Sequence, residues 1–493
     1  MGETVTQYHF DPDDYEKFSQ RLHQSLAILQ QLIKRPGFGD GPALLGAELE
    51  LYITDKHCNA LPINQRLVDE FKDKKLTHEL NRYNLEYNLS PVSIKPAPFA
   101  EMAEELNQLI NSLQQLASKY EGRVLPIGIL PTLTEDDIDP AMMTDIPRYH
   151  ALTKGVKALG NGHFMINIDG KTPLQFCTDE VTMEGANTSF QLHYQVKPER
   201  FAEVFNAIQL ATPVVLALAA NSPTIFGHEL WHESRIALFK RTAETHQPHA
   251  HWHQPARANF GHGWVRHGSE ELMAEAICLH PPLLPICTDT DYQQQMADGL
   301  TPSLDELRLH LGSVWSWNRP VYDPADAGHL RIEMRSLPAG PSVKDMMANA
   351  ALLIGLAEGL ADQMKYLLPA IPFSYVKGNF YEAAKRGLNA KLIWPSLTSH
   401  QLAEQPITKL VDILLPIACK GLAKLGISSE EIETHSQVIK DRVHAKQNGA
   451  IWQQIMLNKL KYHYPLPEAL HQLTEKYFQN FISGKPVAQW ARE

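Results

Sequence analysis

The amino-acid sequence predicts an α+β fold with a mainly antiparallel sheet. Short apolar runs typical of strands alternate irregularly with long helical patterns, instead of following the regular order of a doubly wound fold. The two commonest nucleotide-binding loops, GxGxxG and GxxxxGK[ST], are both missing from the sequence. With 493 residues and 44% hydrophobic content, the chain is long enough to bury a large core.

Hydrophobic periodicity assigns the elements in order. Predicted helices, with apolar residues three and four apart, cover residues 13–34, 99–120, 199–220 and 343–368. Predicted strands cover residues 44–54, 84–90, 123–130, 164–168, 189–196 and 330–336. From about residue 395 the pattern is helical without strand-like runs. We therefore expect an N-terminal helix within 1–40, a central α+β domain over 41–394, and a helical C-terminal region over 395–493 packed on it.

The composition of the chain indicates which binding partners and which cellular location to expect. The formal net charge of -11 makes nucleic acid and anionic membranes poor partners. The N-terminus has no basic segment followed by an apolar run, so no signal peptide is expected, and the longest apolar stretch, 210–220, is too short to span a bilayer. Five cysteines without a CxxC motif indicate reduced thiols and a cytoplasmic location.

Carboxylates on strand-like segments are the most informative chemical feature. In G-A-E-L-E at 46–50, Glu48 and Glu50 are two residues apart, so on a strand they share one face while Ala47 and Leu49 face the core. Two adjacent carboxylates repel, and a divalent cation is the usual group that offsets the repulsion. The alternative is a solvated face of an edge strand, which a single E-x-E pattern does not exclude.

Three further segments show the same arrangement. Glu86 lies inside an apolar strand that ends before a proline, and Glu79 precedes it by seven residues. At 331–335, Glu333 and Arg335 share a face with Arg331, which suits either a surface ladder of ion pairs or a site for a metal and an anion. A fourth strand-like segment places Ser189, Gln191 and His193 on one face, and His193 and Gln191 carry metal-ligand atoms.

Taken in chain order, these segments resemble the glutamate–cysteine ligases and related bacterial carboxylate–amine ligases of the glutamine-synthetase-like superfamily. The resemblance covers roughly residues 44–392. It rests on the ordered set of motifs at 46–50, Glu79, 85–87 before Pro91, Gln191 and His193, A-N-S-P at 220–223, Ser234–Arg235, I-E-M-R at 332–335, and N-F-Y-E-A-A-K-R-G-L-N-A at 379–390.

The resemblance implies a curved antiparallel sheet that holds magnesium, with manganese as a substitute, and a cytoplasmic enzyme of small-molecule substrates. ATP would phosphorylate a carboxylate, that of glutamate in the family's usual reaction, and an amine such as cysteine would then displace phosphate, as in glutathione biosynthesis. The implied metal ligands are Glu48, Glu50, Glu79, Glu86, Gln191, His193 and Glu333. Arg335 and Arg235 are the implied catalytic residues, and Arg235, Asn379 and Arg386 would contact the nucleotide.

The chain also departs from the family's common pattern. Gln191 stands where many bacterial members carry the first His of H-x-H, although an amide oxygen can also bind magnesium. The N-terminal helix and the region beyond Pro395 match no part of the family pattern. The sequence leaves open which acid and amine are used and whether the protein forms oligomers.

Other interpretations compete for particular motifs. H-E-L-W-H at 228–232 has the form of the zinc-protease signature, with Glu244 as a distant third ligand, although a chain with 23 His has an appreciable rate of accidental matches. Trp315 and Trp317 suit either adenine stacking or the core. The His-rich run at 246–253 suits a metal or a loop. A non-catalytic, nucleotide-binding ligase homologue is the third alternative, and the intact carboxylate set argues against it.

Overall fold

The computed structural model of the protein describes residues 10–159, 164–242, 255–396 and 401–492. Its strands are β1 (Leu44–Asp55), β2 (Leu76–His78), β3 (Asn84–Asn88), β4 (Val92–Ser93), β5 (Gly122–Leu125), β6 (Phe164–Ile168), β7 (Leu174–Thr178), β8 (Phe190–Val196), β9 (Thr224–Ile225), β10 (His228–Glu229), β11 (Asn318–Asp323), β12 (His329–Met334), β13 (Lys391–Pro395) and β14 (Leu402–Pro406).

The helices of the described residues are α1 (Pro12–Leu32), α2 (Asn64–Phe71), α3 (Pro98–Ser118), α4 (Pro147–Leu159), α5 (Phe201–Ala219), α6 (Ser234–Thr242), α7 (Ser269–Leu279), α8 (Tyr292–Ala297), α9 (Asp305–Gly312), α10 (Val343–Ala361), α11 (Met364–Ala370), α12 (Phe373–Arg386), α13 (Ile407–Leu425), α14 (Ser429–Ala445), α15 (Gly449–Leu460) and α16 (Leu466–Ile482).

One eight-stranded antiparallel sheet organises the fold. Its strands run in the order β11-β12-β8-β1-β3-β2, and β4 and β5 also pair with β1. The sheet curls into a half-barrel, which confirms the predicted α+β class with a curved, mainly antiparallel sheet. The strands predicted around 44–54, 84–90, 189–196 and 330–336 are all present as β1, β3, β8 and β12.

Long apolar helices cover the face of the sheet that lies away from the acidic side chains. α5 and α10 are almost wholly buried and pack against each other. Tyr194 of β8 points to this side, and its hydroxyl donates to the Glu358 carboxylate of α10 at 2.8 Å. By length and composition the stretch Pro198–Ala219 could cross a membrane, but 94% of its apolar window is buried inside the protein. We therefore interpret α5 as a core helix.

The terminal regions pack against this centre. Near the N-terminus, Arg21 of α1 pairs with Glu306 of α9 at 3.0 Å. In the C-terminal region, Arg442 of α14 is buried and pairs with Asp345 of α10 at 2.8 Å. The Tyr477 hydroxyl of α16 donates to the Pro126 carbonyl at 3.0 Å.

Three predicted elements differ from the structure. The strand predicted over 123–130 ends at Leu125, because Pro126 has no N–H to extend the ladder. The helix predicted over 343–368 is divided into α10 and α11. The region after 395 is not free of strands: β14 pairs with β13, although Leu402–Pro406 lacks the apolar alternation that would reveal a strand.

Candidate active site

A cavity of about 1190 Å³ lies over the polar face of the sheet. Alternate residues of β1, β3 and β8 line it, because successive side chains of a strand point to opposite faces. Most of the sequence-predicted site residues meet here: Glu48, Glu50, Glu79, Glu86, Gln191, His193, Arg235 and Arg335. Glu333 lies directly behind Arg335 and Arg319, which themselves line the cavity.

Strand register decides which of these side chains become neighbours. Glu50 of β1 is opposite Glu86 of β3, and Glu48 is opposite Gln191 of β8. On the next strand pair, Glu333 of β12 is opposite His193. Directly opposed residues of an antiparallel pair have their side chains within contact range. The motifs are therefore distant in sequence but form one continuous polar surface.

Three carboxylates form a compact cluster at one end of this surface. One oxygen each from Glu50, Glu79 and Glu86 lies within 4.8 Å of the other two. Burial and the neighbouring carboxylates raise the pKa of Glu86 to about 7 and raise that of Glu79 well above its ordinary value. None of the three makes an ion pair with a described residue. Oxygen ligands of this type and spacing fit a magnesium or manganese ion, which would remove the repulsion.

Two other carboxylates already have side-chain partners. The same oxygen of Glu333 lies 3.0 Å from Arg319 Nη2 and 2.7 Å from Arg335 Nη1. Burial alone would raise the pKa of Glu333, but Arg319 and Arg335 hold it well below its ordinary value. Glu48 lies 3.0 Å from His193 Nε2, and although burial opposes it, this contact lowers the pKa of Glu48. The predicted ligand set thus divides into an unpaired cluster and a paired group.

Gln191 connects the two groups. Its Oε1 accepts a hydrogen bond from Arg335 Nη1 at 2.7 Å, and its Nε2 donates to Glu50 Oε1 at 2.9 Å. The backbone N–H of Ser189 donates to the other oxygen of Glu50 at 2.6 Å. Gln191 therefore holds Arg335 and Glu50 in a fixed relative position, and metal ligation by its oxygen stays a prediction.

The two predicted catalytic arginines differ in their freedom to bind a ligand. Arg335 uses Nη1 for Gln191 and Glu333, whereas its Nε and Nη2 make no hydrogen bond within the described residues, and the side chain lines the cavity. Arg235 is almost fully buried, and its Nε donates to Glu233 at 3.0 Å while an Nη binds the Ser336 carbonyl. Arg235 therefore contributes mainly positive charge beside Glu50, and burial lowers its pKa.

Glu184 is a cavity residue that the sequence analysis did not identify. It lies in the 3₁₀ turn Val181–Ala186, which carries no strand or helix periodicity. Burial raises its pKa to about 7, and the nearby charges of Arg335 and Glu50 act on it in opposite directions. The neighbouring segment Glu184-Gly185-Ala186-Asn187 precedes the predicted strand at 189, and an acidic residue just before a site strand was the available signal.

Asn379 and Arg386 do not reach the cavity, so the structure does not support their predicted contact with nucleotide. The Asn379 amide binds the backbone of Ile393 twice, donating to its carbonyl at 2.9 Å and accepting from its N–H at 2.7 Å. Arg386 lies on the surface of α12 and pairs with Glu382 at 2.7 Å. The motif at 379–390 therefore joins α12 to β13.

The zinc-protease interpretation of residues 228–232 is wrong in its structural premise. His228 and Glu229 form the two-residue strand β10, not the helix that would place two histidines on one face. Glu229 pairs with Lys171 at 2.9 Å and also contacts Lys461, so no general base faces a metal. Glu244 and the His-rich run at 246–253 lie outside the described residues.

Trp315 and Trp317 belong to the core and also border the cavity, while adenine stacking by either stays a prediction. Both are buried, and both pack against Phe239 with ring centroids 6.3 Å and 5.5 Å away, respectively. They also line the cavity. Their main role in the structure is to form an apolar wall beside the polar floor.

Comparisons with known proteins identify the family and the fold. A sequence model of Glutamate-cysteine ligase family 2 (GCS2) matches residues 44–475, so the match continues well beyond residue 392 into the C-terminal helices. A search of curated proteins gave no match.

Two solved structures show the same fold. A glutamate–cysteine ligase from Francisella tularensis in complex with AMP has a TM-score of 0.54 and 14% identity, covering 90% of each chain. A bifunctional glutathione synthetase from Pasteurella multocida has a TM-score of 0.51 and 11% identity, covering 94% of this chain and 55% of its own.

Proposed function

Because the chain belongs to glutamate–cysteine ligase family 2, a group of carboxylate–amine ligases, we propose that it uses ATP to join the side-chain carboxylate of glutamate to an amine. Cysteine or another amino compound is the proposed amine, and ADP and phosphate are the other products. With cysteine the reaction would serve glutathione biosynthesis. We also propose that the protein acts in the cytoplasm.

The proposed chemistry has two steps. The carboxylate oxygen takes the γ-phosphoryl group of ATP, which gives an acyl phosphate and ADP. The amine nitrogen then attacks the acyl carbon, the new C–N bond forms, the bond from that carbon to the phosphate oxygen breaks, and the nitrogen loses its extra proton. Such transfers depend on neutralising charge and aligning the reacting groups more than on covalent chemistry by the protein.

The observation that carries the proposal is that one cavity floor holds two kinds of group side by side. These are carboxylates without an ion pair and an arginine with unused N–H groups. Glu50, Glu79 and Glu86 suit a magnesium ion, which would neutralise phosphate charge when bound. Beside them, the free Nε and Nη2 of Arg335 suit a carboxylate or a phosphoryl group, which a guanidinium can bind through two parallel hydrogen bonds. The two groups that the proposed phosphoryl transfer needs, a metal site and an anion site, would therefore lie in one cavity.

Gln191 gives this arrangement a fixed geometry. Its bonds to Arg335 and Glu50 tie the anion-binding side chain to the acidic cluster. Glu333 holds the same Nη1 of Arg335 from the other side. Because positioned groups reduce the reorganisation needed during reaction, a rigid link of this kind favours catalysis.

The test is a screen of ADP release from magnesium–ATP with amino acids supplied singly and in pairs. We expect release that requires a carboxylic amino acid and rises when an amine is added. Hydroxylamine should trap the acyl phosphate as a hydroxamate. Nucleotide binding without ADP release under any pair would instead identify a non-catalytic homologue, and ADP release without a carboxylic substrate would contradict the ligase proposal.

A further inference from the structure

Glu184 is a cavity carboxylate, outside the cluster of Glu50, Glu79 and Glu86, that has no partner among the described residues. Its side chain makes no hydrogen bond and no ion pair with any residue in the described ranges, although it lines the cavity. It also stands apart from the cluster of Glu50, Glu79 and Glu86, because it joins no set of three ligand atoms within 4.8 Å of one another. We therefore look for a role of Glu184 other than metal binding.

The turn that carries Glu184 is rigidly held. Gly185 packs so tightly on Asn81 that an added Cβ would lie 2.5 Å from the Asn81 side chain. The Asn81 amide donates to the Thr182 carbonyl at 2.8 Å, and the Tyr52 hydroxyl donates to the Ala186 carbonyl at 2.5 Å. These contacts of Asn81 and Tyr52 fix the backbone of the turn, while the Glu184 side chain lines the cavity without a partner. This is the arrangement expected of a group that binds a ligand.

The position of Glu184 selects the kind of ligand. Glu184 lines the same cavity as Arg335 and Glu50, and the charges of both act on it, so it faces the space in which the proposed acyl phosphate would form. A carboxylate attracts a cation, and the amine substrate arrives as an ammonium group, whose nitrogen attacks the acyl carbon after it has given one proton to a base such as this carboxylate. The ammonium group of glutamate is the competing cation, and kinetic measurements with each substrate distinguish the two.

We propose that Glu184 binds the ammonium group of the incoming amine and so helps to determine which nucleophile is accepted. This inference rests on the proposed ligase function. It predicts a preference for substrates whose nucleophilic nitrogen is cationic in solution. It also predicts that a neutral nucleophile such as hydroxylamine does not need Glu184.

The experiment compares Glu184→Gln with wild type in two assays on the full chain. In ligation with a cationic amine, we expect the KM for the amine to rise about tenfold to a hundredfold, the loss that follows removal of one charge-assisted hydrogen bond. The KM values for ATP and for the carboxylic substrate should stay within about twofold. Hydroxamate formation with hydroxylamine should be nearly unchanged, and Glu184→Asp should recover part of the amine affinity.

Glu180→Gln is the matched control, because Glu180 lies just before the same turn but pairs with Lys157 at 3.0 Å and does not line the cavity. Its KM for the amine should equal that of wild type. Manganese affinity, measured by titration without substrates, should be the same in Glu184→Gln and wild type.

Three results would overturn the inference. A fall in manganese affinity in Glu184→Gln would make Glu184 a metal ligand. A rise in the KM for the carboxylic substrate alone would assign it to the acid. Equal loss of hydroxamate and amide formation would show that it serves the first step. If wild type forms neither product, the proposed function fails together with this inference.

Discussion

Glu50 and Glu86 are direct cross-strand partners on β1 and β3, and each contributes an oxygen to the cluster that Glu79 completes within 4.8 Å. Like charges that face each other across an antiparallel pair destabilise it. The fold retains this repulsion at the floor of the cavity, and no described residue makes an ion pair with any of the three carboxylates. The pairing therefore identifies a position where stability has been given up for binding.

Removing one of these carboxylates should stabilise the metal-free protein. For Glu86→Gln we expect the free energy of unfolding without magnesium to rise by about 1 kcal/mol, because the amide keeps the shape but not the repulsion. Ligation should be lost. Thermal unfolding with and without magnesium measures both effects, since the increase in Tm that magnesium gives to wild type should disappear in the variant. A variant that magnesium stabilises as strongly as wild type would contradict the assignment.

Glu333 should behave in the opposite way. Glu333→Gln leaves Arg319 and Arg335 without their shared buried anion, so we expect a loss of about 3 kcal/mol or more in the free energy of unfolding. Chemical denaturation provides the measurement. Glu382→Gln breaks the surface pair with Arg386 and should cost about 1 kcal/mol or less. Equal effects of the two substitutions would show that the Glu333 pairs contribute little.

Arg335→Lys should separate acid binding from nucleotide binding. Lysine keeps the charge but cannot hold Gln191 and Glu333 with one nitrogen while presenting two further N–H groups to a ligand. We expect the KM for the carboxylic substrate to rise about tenfold or more, with a smaller change for ATP. Steady-state kinetics with each substrate varied in turn measures the difference. Equal changes in both KM values would give Arg335 a structural role.

The acidic cluster should make both stability and metal affinity depend on pH. Burial and then Glu48 and Glu50 raise the pKa of Glu86 to about 7, above its value in the unfolded chain. Between these two values the folded, metal-free protein binds more protons than the unfolded chain, so its free energy of unfolding should fall as pH rises towards 7. Metal requires the ionised form, so manganese affinity should rise over the same interval.

Measurements of stability and of manganese affinity at about pH 5.5 and about pH 8 test whether the two change in opposite directions. Unfolding without metal gives the stability, and titration with manganese gives the affinity. Glu86→Gln should reduce the pH dependence of both quantities. A stability that instead rises with pH across this interval would show that the cluster does not hold its protons as expected.

The sequence determined the strands of the site and the faces of their side chains. Alternation along 44–54 placed Glu48 and Glu50 on one face of the strand and Ala47 and Leu49 on the other, and β1 has that burial pattern. The same reasoning assigned Glu86 and the 331–335 segment correctly, because a strand's period of two is local information. The family resemblance then supplied the metal and nucleotide roles, which remain predictions.

Only the tertiary structure decided which of these carboxylates are paired with arginines and which repel one another. Register put Glu50 beside Glu86 and gave Glu333 two arginines, so residues of the same chemical type became a repelling cluster and a neutralised anion. The Gln191 bridge and the cavity position of Glu184 likewise depend on contacts between segments far apart in sequence. A sequence pattern fixes which way a side chain points from its own strand, but the charge that it meets comes from other strands and turns.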